Sequence, residues 1–192
     1  MEVKEAAVKY QEDGRLYTYA DYASWDEDSR CELIDGVIYM MSSPSRRHQG
    51  IIVELSYQLT SFLKGKPCKV FIAPFDVCLS TAGDKDRTVV QPDVLVVCDK
   101  SKLESKRCNG APDMVIEVLS PSTASKDKVR KLNKYLEAGV KEYWIVDPAD
   151  RTVSVCLLES GNYVIKGYTD EGTAPVSILE GCSIDLAEVF AE

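Results

Sequence analysis

Two carboxylates of the sequence lie in or beside apolar segments, where a charge is unfavourable. Glu117 lies inside the run Met114–Leu119, and Asp93 directly precedes the run Val94–Cys98. Burying a lone carboxylate costs several kcal/mol unless it is paired, protonated or bound to a cation. If the two runs are adjacent strands, the carboxylates meet and repel unless a divalent cation lies between them. Oxygen ligands of this kind favour Mg²⁺ or Mn²⁺.

Each carboxylate also has a purely structural interpretation. Asp93 could cap a turn, and Glu117 could pair with a lysine of a helix. Both runs, however, are entered through a proline, Pro92 or Pro112, and a lysine-rich helix follows the second run. This combination favours a functional site over two independent structural contacts.

The lysine-rich stretch Ser125–Tyr135 reads SKDKVRKLNKY, in a predicted helix that opens at Ser120-Pro121 and ends at Gly139. Its basic side chains are Lys126, Lys128, Arg130, Lys131 and Lys134. The spacing predicts a core stripe of Val129, Leu132 and Leu136, and a separate polar ridge of Asp127, Lys131 and Tyr135. A charge run is usually a solvated face. In an acidic chain, however, a segment of net charge +4 is a place where phosphate could dock.

The elements upstream of Asp93 are predicted from local signals. Asp35-Gly36 is a hairpin signal between the strands Cys31–Ile34 and Val37–Met41. Apolar residues at helical spacing after Ser42-Ser43 predict a long amphipathic helix over Pro44–Leu63. The other predicted elements are a short helix over Tyr19–Trp25 capped by Thr18, and a strand over Lys69–Leu79 with Pro74 at a bulge or an edge.

The remaining segments complete a mixed α/β pattern. Asp99–Ala111 is predicted to be a charged loop and Tyr143–Val146 a third buried strand. After Arg151 we expect two or three antiparallel strands around Ser160-Gly161-Asn162, then a short segment over Leu186–Phe190. The pattern fits one domain over residues 1–192, with a mixed central sheet between two long helices. Its core spans about 15–160 and its antiparallel extension 151–192.

The composition argues against several classes of function. The 192 residues include 31 acidic and 23 basic side chains, and the net charge of −8 disfavours non-specific coating of nucleic acid or anionic membrane. With His48 as the one histidine, a single chain cannot build a site that needs two or three histidine ligands. The sequence lacks the motifs of hydrolase elbows, P-loops and dinucleotide sites.

The cysteines and the apolar runs predict a cellular location. The number of cysteines is odd, at seven, and no two of them form a C-x-x-C pair. Several lie in apolar runs, so we expect reduced thiols rather than a disulfide framework. No apolar run approaches the roughly 20 residues of a membrane span, and the first residues lack an apolar signal segment. These features predict a cytoplasmic protein.

Five ordered segments resemble those of one nuclease family. They are CELIDGVIYMMSSPSRRHQGII, QPDVLVV, PDMVIEVLSPST, DKVRKLNKY and GVKEYWIVDP. Together they resemble the Uma-two-type restriction endonuclease-like family of the PD-(D/E)XK nuclease superfamily, over roughly residues 15–160. Each segment alone is a weak signal, but the ordered set is specific. The resemblance implies a restriction-endonuclease-like core, an α/β fold with a mixed sheet flanked by helices and extra antiparallel strands.

The resemblance also implies roles for individual residues. Asp93 and Glu117 correspond to metal ligands on adjacent strands, and the Val118 carbonyl completes the expected ligand set for Mg²⁺ or Mn²⁺. The superfamily lysine two positions after the glutamate is replaced here by Leu119. The family carries this lysine on the following helix instead, where Lys131 corresponds to it and Lys128 is the alternative.

Further polar positions match those of the family. Glu32 and His48 correspond to residues that complete the site, although His48 could equally be a helix cap. Glu32 lies in an otherwise apolar strand, which favours a role in the site over a structural role. Tyr135 also matches, although a helix tyrosine is usually a packing residue. The expected phosphate contacts are Lys128, Arg130 and Tyr135.

The function implied by the resemblance is a metal-dependent endonuclease that hydrolyses DNA phosphodiester bonds, with RNA as the less favoured substrate. A homodimer would suit this activity because a duplex has two strands to cut. The alternative is a catalytically silent nuclease-fold module that binds nucleic acid or a protein partner. The acidic composition and Leu119 in place of the superfamily lysine favour the silent module.

Overall fold

A computed structural model describes residues 14–25, 30–120 and 126–191, with the backbone alone for residues 126–128. The helices of these ranges are α1 (Tyr19–Tyr22), α2 (Arg46–Leu63), α3 (Lys126–Ala138) and α4 (Leu186–Val189). The first strands are β1 (Cys31–Ile34), β2 (Val37–Met40), β3 (Lys69–Ile72), β4 (Asp76–Cys78), β5 (Val89–Val90), β6 (Val94–Val97) and β7 (Arg107–Asn109). The later strands are β8 (Met114–Val118), β9 (Glu142–Asp147), β10 (Thr152–Glu159), β11 (Asn162–Thr169), β12 (Thr173–Pro175) and β13 (Ser183–Asp185).

A six-stranded mixed sheet forms the centre, in the order β11-β10-β9-β8-β6-β3. Strands β8 and β9 are parallel, and the other pairs are antiparallel. Because side chains alternate along a strand, the sheet has two apolar faces. One face, with Val96 and Ile116, packs against α2 and the C-terminal elements. The other face, with Leu95 and Val115, packs against α3 and the second sheet.

The second sheet has the strand order β2-β1-β5-β4-β7. Its hairpin turns through Asp35 and Gly36, with φ values of 54° and 80°. Positive φ at both positions is the conformation that Asp-Gly favours in a two-residue hairpin, so the predicted turn is confirmed. The register of this hairpin pairs Glu32 with Tyr39, which places their side chains on the same side of the sheet.

Several predicted bounds change in the structure. The strand predicted over Lys69–Leu79 is divided into β3 and β4, because Pro74 has no N–H with which to continue a strand ladder. The predicted loop Asp99–Ala111 contains β7, a short strand that pairs in parallel with β4. Helix α1 ends at Tyr22 rather than Trp25. Of these differences, β7 depends on a pairing partner that is remote in the sequence.

The inward face of α3 also differs from the prediction. Val129 is 60% exposed, whereas Tyr135 is fully buried and Leu132 packs against the core. The predicted polar ridge therefore faces inward at Lys131 and Tyr135. The core stripe was misassigned at Val129 because spacing does not identify the face that packs inward. The helix ends at Gly139, with φ of 81°, as predicted.

The expectation of fully reduced cysteines is wrong for one pair. Cys68 and Cys98 form a disulfide at the adjoining ends of β3 and β6. The other cysteines, which are buried and free, are Cys31, Cys78, Cys108, Cys156 and Cys182. The pair could not be predicted because strand register, rather than sequence spacing, brings the two thiols together. Among the described residues, no helix is long and apolar enough to cross a membrane.

Candidate active site

Asp93 and Glu117 meet at one end of the central sheet. The register of β6 and β8 pairs Val94 with Ile116, so Asp93 and Glu117 lie opposite each other one position further along. The Val118 N–H donates to Asp93 Oδ2 at 2.8 Å, which fixes that carboxylate against β8. Both acidic residues line the same cavity. The expected adjacency of their strands is therefore present in the fold.

Lys131 of α3 lies between two carboxylates. Its Nζ donates to Glu117 Oε1 and to Glu32 Oε1, each at 2.9 Å. The side chain is 15% exposed, and those of Glu32 and Glu117 are 6% and 13% exposed. A buried ion pair needs this close geometry to offset its desolvation. The helix lysine thus contacts Glu117, although Leu119 stands in the place of the superfamily lysine.

Tyr135 lies one helical turn after Lys131 and contacts the same oxygen. Its hydroxyl donates to Glu117 Oε1 at 2.6 Å, and its side chain is fully buried. Its ring packs against Tyr143, with the ring centroids 4.8 Å apart. A phosphate of a large substrate does not reach a hydroxyl so enclosed. Tyr135 therefore fits a role in orienting Glu117 better than the expected phosphate contact.

The electrostatics of this cluster follow from its burial. Burial raises the pKa of Glu117, and the charges of Asp93 and Glu32 raise it further, against the opposing effect of Lys131. Burial alone would lower the pKa of Lys131, but Glu117 and Glu32 raise it above its ordinary value. Lys131 consequently stays protonated at neutral pH. The cluster combines one ammonium group with three acidic side chains, and a bound cation would offset this excess of negative charge.

His48 enters the site from the first turn of α2. Ser45 caps this helix by accepting from the His48 N–H at 3.2 Å. His48 Nε2 lies 3.3 Å from Asp93 Oδ2, while the buried Nδ1 has no partner among the described residues. Burial lowers the pKa of His48, but the hydrogen bond and charge of Asp93 and the Val118 backbone outweigh it and raise the pKa. The imidazole is thus a polar wall of the cavity as well as part of a helix start.

Glu32 is held by a network that the sequence analysis did not identify. Its Oε1 accepts from the Gln91 backbone N–H at 2.9 Å. The Gln91 side chain donates to Asp76 Oδ1 at 2.8 Å and to the Tyr22 hydroxyl at 3.0 Å. The one sequence signal for this network is Gln91, two positions before Asp93 at the entry to β6, and its type and position do not indicate a contact with Glu32. The network connects the site to β4 and α1.

A cavity of about 200 Å³ opens beside these groups. Its charged lining side chains are Arg30, Glu32, Asp93, Glu117 and Lys131, and most of its other lining residues are apolar. Arg130 lies over the ring of Tyr39, with Cζ 4.6 Å from the ring centroid, in a cation–π contact. The side chain of Lys128, the alternative to Lys131, lies outside the described residues.

The donor set fits a hard divalent cation. The described residues contain no group of three or more His, Cys, Asp or Glu side chains arranged as a metal site. Mg²⁺, however, is usually bound through one or two carboxylates and retains waters, so this result does not disagree with Mg²⁺. Asp93 and Glu117 offer carboxylate oxygens at a cavity that Val118 also lines, which is the type of donor that Mg²⁺ prefers.

Comparisons with known proteins give a consistent result. Residues 19–187 match the Uma2 family, described as "Putative restriction endonuclease". The protein slr1290 of Synechocystis sp., named "Uncharacterized protein", is 35% identical over 154 residues, which cover 77% of this chain and 78% of that protein. A second Synechocystis protein, sll1609, also named "Uncharacterized protein", is 25% identical over 138 residues, covering 69% and 76%.

A solved structure from Anabaena variabilis ATCC 29413 has a similar fold. It is described as "a putative nuclease belonging to DUF820" and matches with a TM-score of 0.72 at 21% identity, covering 90% of this chain and 97% of that one. This likeness confirms the predicted α/β fold of restriction-endonuclease type. The family match spans most of the chain, and together with the ordered motifs around Asp93 and Glu117 it establishes that the chain belongs to the Uma2 family.

Proposed function

We propose that the chain is an Mg²⁺- or Mn²⁺-dependent nuclease that hydrolyses DNA phosphodiester bonds. The observation that carries the proposal is the convergence of Asp93 and Glu117 with the ammonium group of Lys131 at a single cavity. In the proposal, the oxygens of Asp93 and Glu117 and the Val118 carbonyl hold the cation. When bound, the cation supplies Lewis-acid polarisation of the phosphate.

Lys131 acts as an electrostatic and orienting group. Because its pKa is raised, Lys131 is unsuited to accept a proton from water. Two of its N–H bonds point to Glu32 and Glu117, and the third proton is available to the attacking water or a phosphate oxygen. A fixed donor near developing negative charge stabilises the transition state, and removing one such group often costs about 10²-fold in rate.

Tyr135, Glu32 and His48 have supporting roles in the proposed site. Lys131 and Tyr135 both donate to Oε1 of Glu117, so Oε2 is the oxygen we propose for the cation. Glu32 anchors Lys131 from the opposite side. His48 lies 3.3 Å from Asp93 Oδ2 through Nε2 and helps to hold this carboxylate in place. Arg130 at the rim is the proposed phosphate contact on the described part of the helix.

The proposal is tested by nicking of supercoiled plasmid DNA with purified protein. Nicking should require Mg²⁺ or Mn²⁺, stop in excess EDTA, and be lost in Asp93→Ala and Glu117→Ala. Lys131→Met should lose about 10²-fold in rate. Lys134→Met is the matched control, because Lys134 lies on the same helix but pairs with the exposed side chains of Asp35 and Glu137.

The results also separate a nuclease from a silent module. Equal nicking by Asp93→Ala and the wild type would show a contaminant and contradict the proposal. Millimolar Mn²⁺ should raise the melting temperature of the wild type but not of Glu117→Gln, because a ligand that binds only the folded state stabilises it. Absence of both nicking and this shift would favour the silent module. Pairing of two copies is a further part of the proposal, and sedimentation analysis measures it.

A further inference from the structure

The cavity beside Lys131 has an apolar half that the hydrolytic groups do not use. Its walls include Ile52 and Ala73, and its mouth is bordered by Met40, Val53 and Ile72. The side chains at the mouth are 41%, 62% and 48% exposed. Large apolar side chains of a soluble protein are seldom exposed together around a cavity without a ligand or partner. These side chains favour a ligand part that is itself apolar.

An aromatic ring connects the apolar half to the charged half. Tyr39 lies directly opposite Glu32 in the β1–β2 hairpin, so both side chains project from the same side of the sheet. The guanidinium of Arg130 lies over the Tyr39 ring, with Cζ 4.6 Å from the ring centroid, and places a positive charge beside this ring. An aromatic ring beside a cation is the arrangement on which unpaired nucleobases stack while their phosphates remain close to positive charge.

We propose that the apolar half is a subsite for one unstacked nucleobase of a DNA strand, next to the phosphate held at Lys131. The inference rests on the proposed nuclease function, which identifies the ligand as DNA. In this arrangement the base contacts Tyr39 and the apolar mouth, and its phosphate lies towards Glu117 and Lys131. The cavity volume of about 200 Å³ is several times the roughly 30 Å³ of one water molecule, which leaves room for a planar base.

The surface around the cavity disfavours a fully paired duplex. Binding of intact duplex relies on many contacts between phosphates and basic side chains, whereas this chain has a net charge of −8. A duplex would also bring charged phosphates against the exposed Met40, Val53 and Ile72. An unpaired strand, in contrast, can cover apolar and aromatic surface with its bases, and each stacked base adds affinity of its own. The base could come from a single strand or from a nucleotide extruded from a duplex.

The experiment measures binding rather than cleavage. Fluorescence anisotropy in EDTA compares a labelled single strand, the same strand in a perfect duplex, and a duplex with one unpaired nucleotide. We expect the single strand to bind roughly tenfold more tightly than the perfect duplex, in line with the contribution of one stacked base. The duplex with an unpaired nucleotide should match the single strand if extruded bases enter the subsite.

Variants locate the subsite. Tyr39→Ala should weaken single-strand binding roughly tenfold, and Tyr39→Phe should retain it because the ring is kept. Tyr57→Ala is the control, since Tyr57 is 65% exposed on α2 and does not line the cavity. Ile72→Ser provides a second probe at an exposed position where the fold tolerates change, and it should also weaken binding.

The outcomes distinguish this inference from the nuclease proposal. Equal or tighter binding of perfect duplex, or equal affinity of Tyr39→Ala and Tyr57→Ala with intact circular dichroism spectra, would overturn the subsite. Absence of binding to any of the strands would overturn it as well. Selective single-strand binding that depends on Tyr39, without cleavage in Mg²⁺, would support the subsite and contradict only the nuclease.

Discussion

Glu117 illustrates how single atoms determine the chemistry of the site. Its Oε1 accepts from a charged donor, Lys131 Nζ at 2.9 Å, and from a neutral donor, the Tyr135 hydroxyl at 2.6 Å. The ammonium group lowers the cost of keeping the carboxylate ionised, whereas the hydroxyl fixes its orientation without adding charge. Removal of the ammonium group and removal of the hydroxyl should therefore have different effects on the site.

Replacement of Tyr135 by phenylalanine tests the orienting role. The ring stays in the core, but one hydrogen bond is lost, so the free energy of unfolding should fall by about 1 kcal/mol. Because a supporting donor to a ligand is removed, Mn²⁺ affinity should fall about tenfold. Chemical denaturation measures the first quantity and calorimetric titration the second.

Tyr163→Phe is the matched control for this measurement. The Tyr163 hydroxyl donates to the Val140 carbonyl at 2.9 Å, away from the cavity. Its loss should reduce stability by a similar amount of about 1 kcal/mol and leave Mn²⁺ affinity unchanged. If the two variants bind Mn²⁺ alike, the Tyr135 hydroxyl has no orienting role.

At the scale of elements, the β1–β2 hairpin carries Glu32 and Tyr39 into the site. Its turn at Gly36 is enclosed, because a Cβ at this position would lie 2.8 Å from Leu16 Cβ and 3.1 Å from the Tyr17 backbone. The β10–β11 hairpin has the same turn conformation at Ser160 and Gly161, with nothing within 4 Å of a Cβ at Gly161. The two turns share their backbone conformation and differ in their surroundings.

Alanine substitution at the two glycines separates conformation from packing. Gly161→Ala should lower the free energy of unfolding by about 1 kcal/mol, the cost of a left-handed residue with a side chain. Gly36→Ala should cost at least about 2 kcal/mol, since contact with Leu16 and Tyr17 is added to the same strain. Urea denaturation of the two variants measures the difference.

Gly36→Ala should also disturb the site, because the displaced hairpin carries Glu32. A weaker Mn²⁺ affinity in Gly36→Ala than in Gly161→Ala is the expected result. Equal losses of stability in both variants would mean that the turn at Gly36 adapts to a side chain. In that case the hairpin is less constrained than its contacts indicate.

At the scale of the whole molecule, Asp113 connects segments of the central sheet. Its Oδ1 contacts Lys141 Nζ at 2.7 Å, and its Oδ2 accepts from the Cys98 N–H at 2.7 Å. Burial raises the pKa of Asp113, but Lys141 and the Cys98 N–H outweigh this effect and hold the pKa below its ordinary value. The end of β6 and the starts of β8 and β9 are thereby joined by one carboxylate.

The lowered pKa predicts a pH-dependent contribution to stability. In the unfolded chain an aspartate titrates near about 3.9, so the stabilising effect is complete above that pH and is lost as pH falls through the lower folded-state pKa. Asp113→Asn should be about 2 kcal/mol less stable than the wild type at pH 7. The gap should narrow as the pH is lowered towards about 3.

Denaturation curves at a series of pH values test this expectation. Asp150→Asn is the control, because Asp150 is exposed and its replacement should change stability by less than about 0.5 kcal/mol at any pH. A gap between the wild type and Asp113→Asn that stays constant down to acidic pH would show that the ion pair with Lys141 does not stabilise the fold.

The sequence by itself determined features that depend on neighbouring residues or on burial. Asp35-Gly36 specifies its turn because this dipeptide readily adopts positive φ. Asp93 and Glu117 could be identified because a carboxylate beside an apolar run is costly and needs a reason to be there. The family resemblance, rather than the helical pattern, selected Lys131 from the basic residues of α3.

Only the tertiary structure decided which groups face each other. Helical spacing put Val129 in the core and left Tyr135 on a separate ridge, because a period gives relative angles but does not say which side meets the sheet. The network of Gln91 with Glu32, the disulfide of Cys68 with Cys98, and the apolar half of the cavity all join remote segments. Such contacts depend on strand register and packing, which no local stretch of sequence encodes.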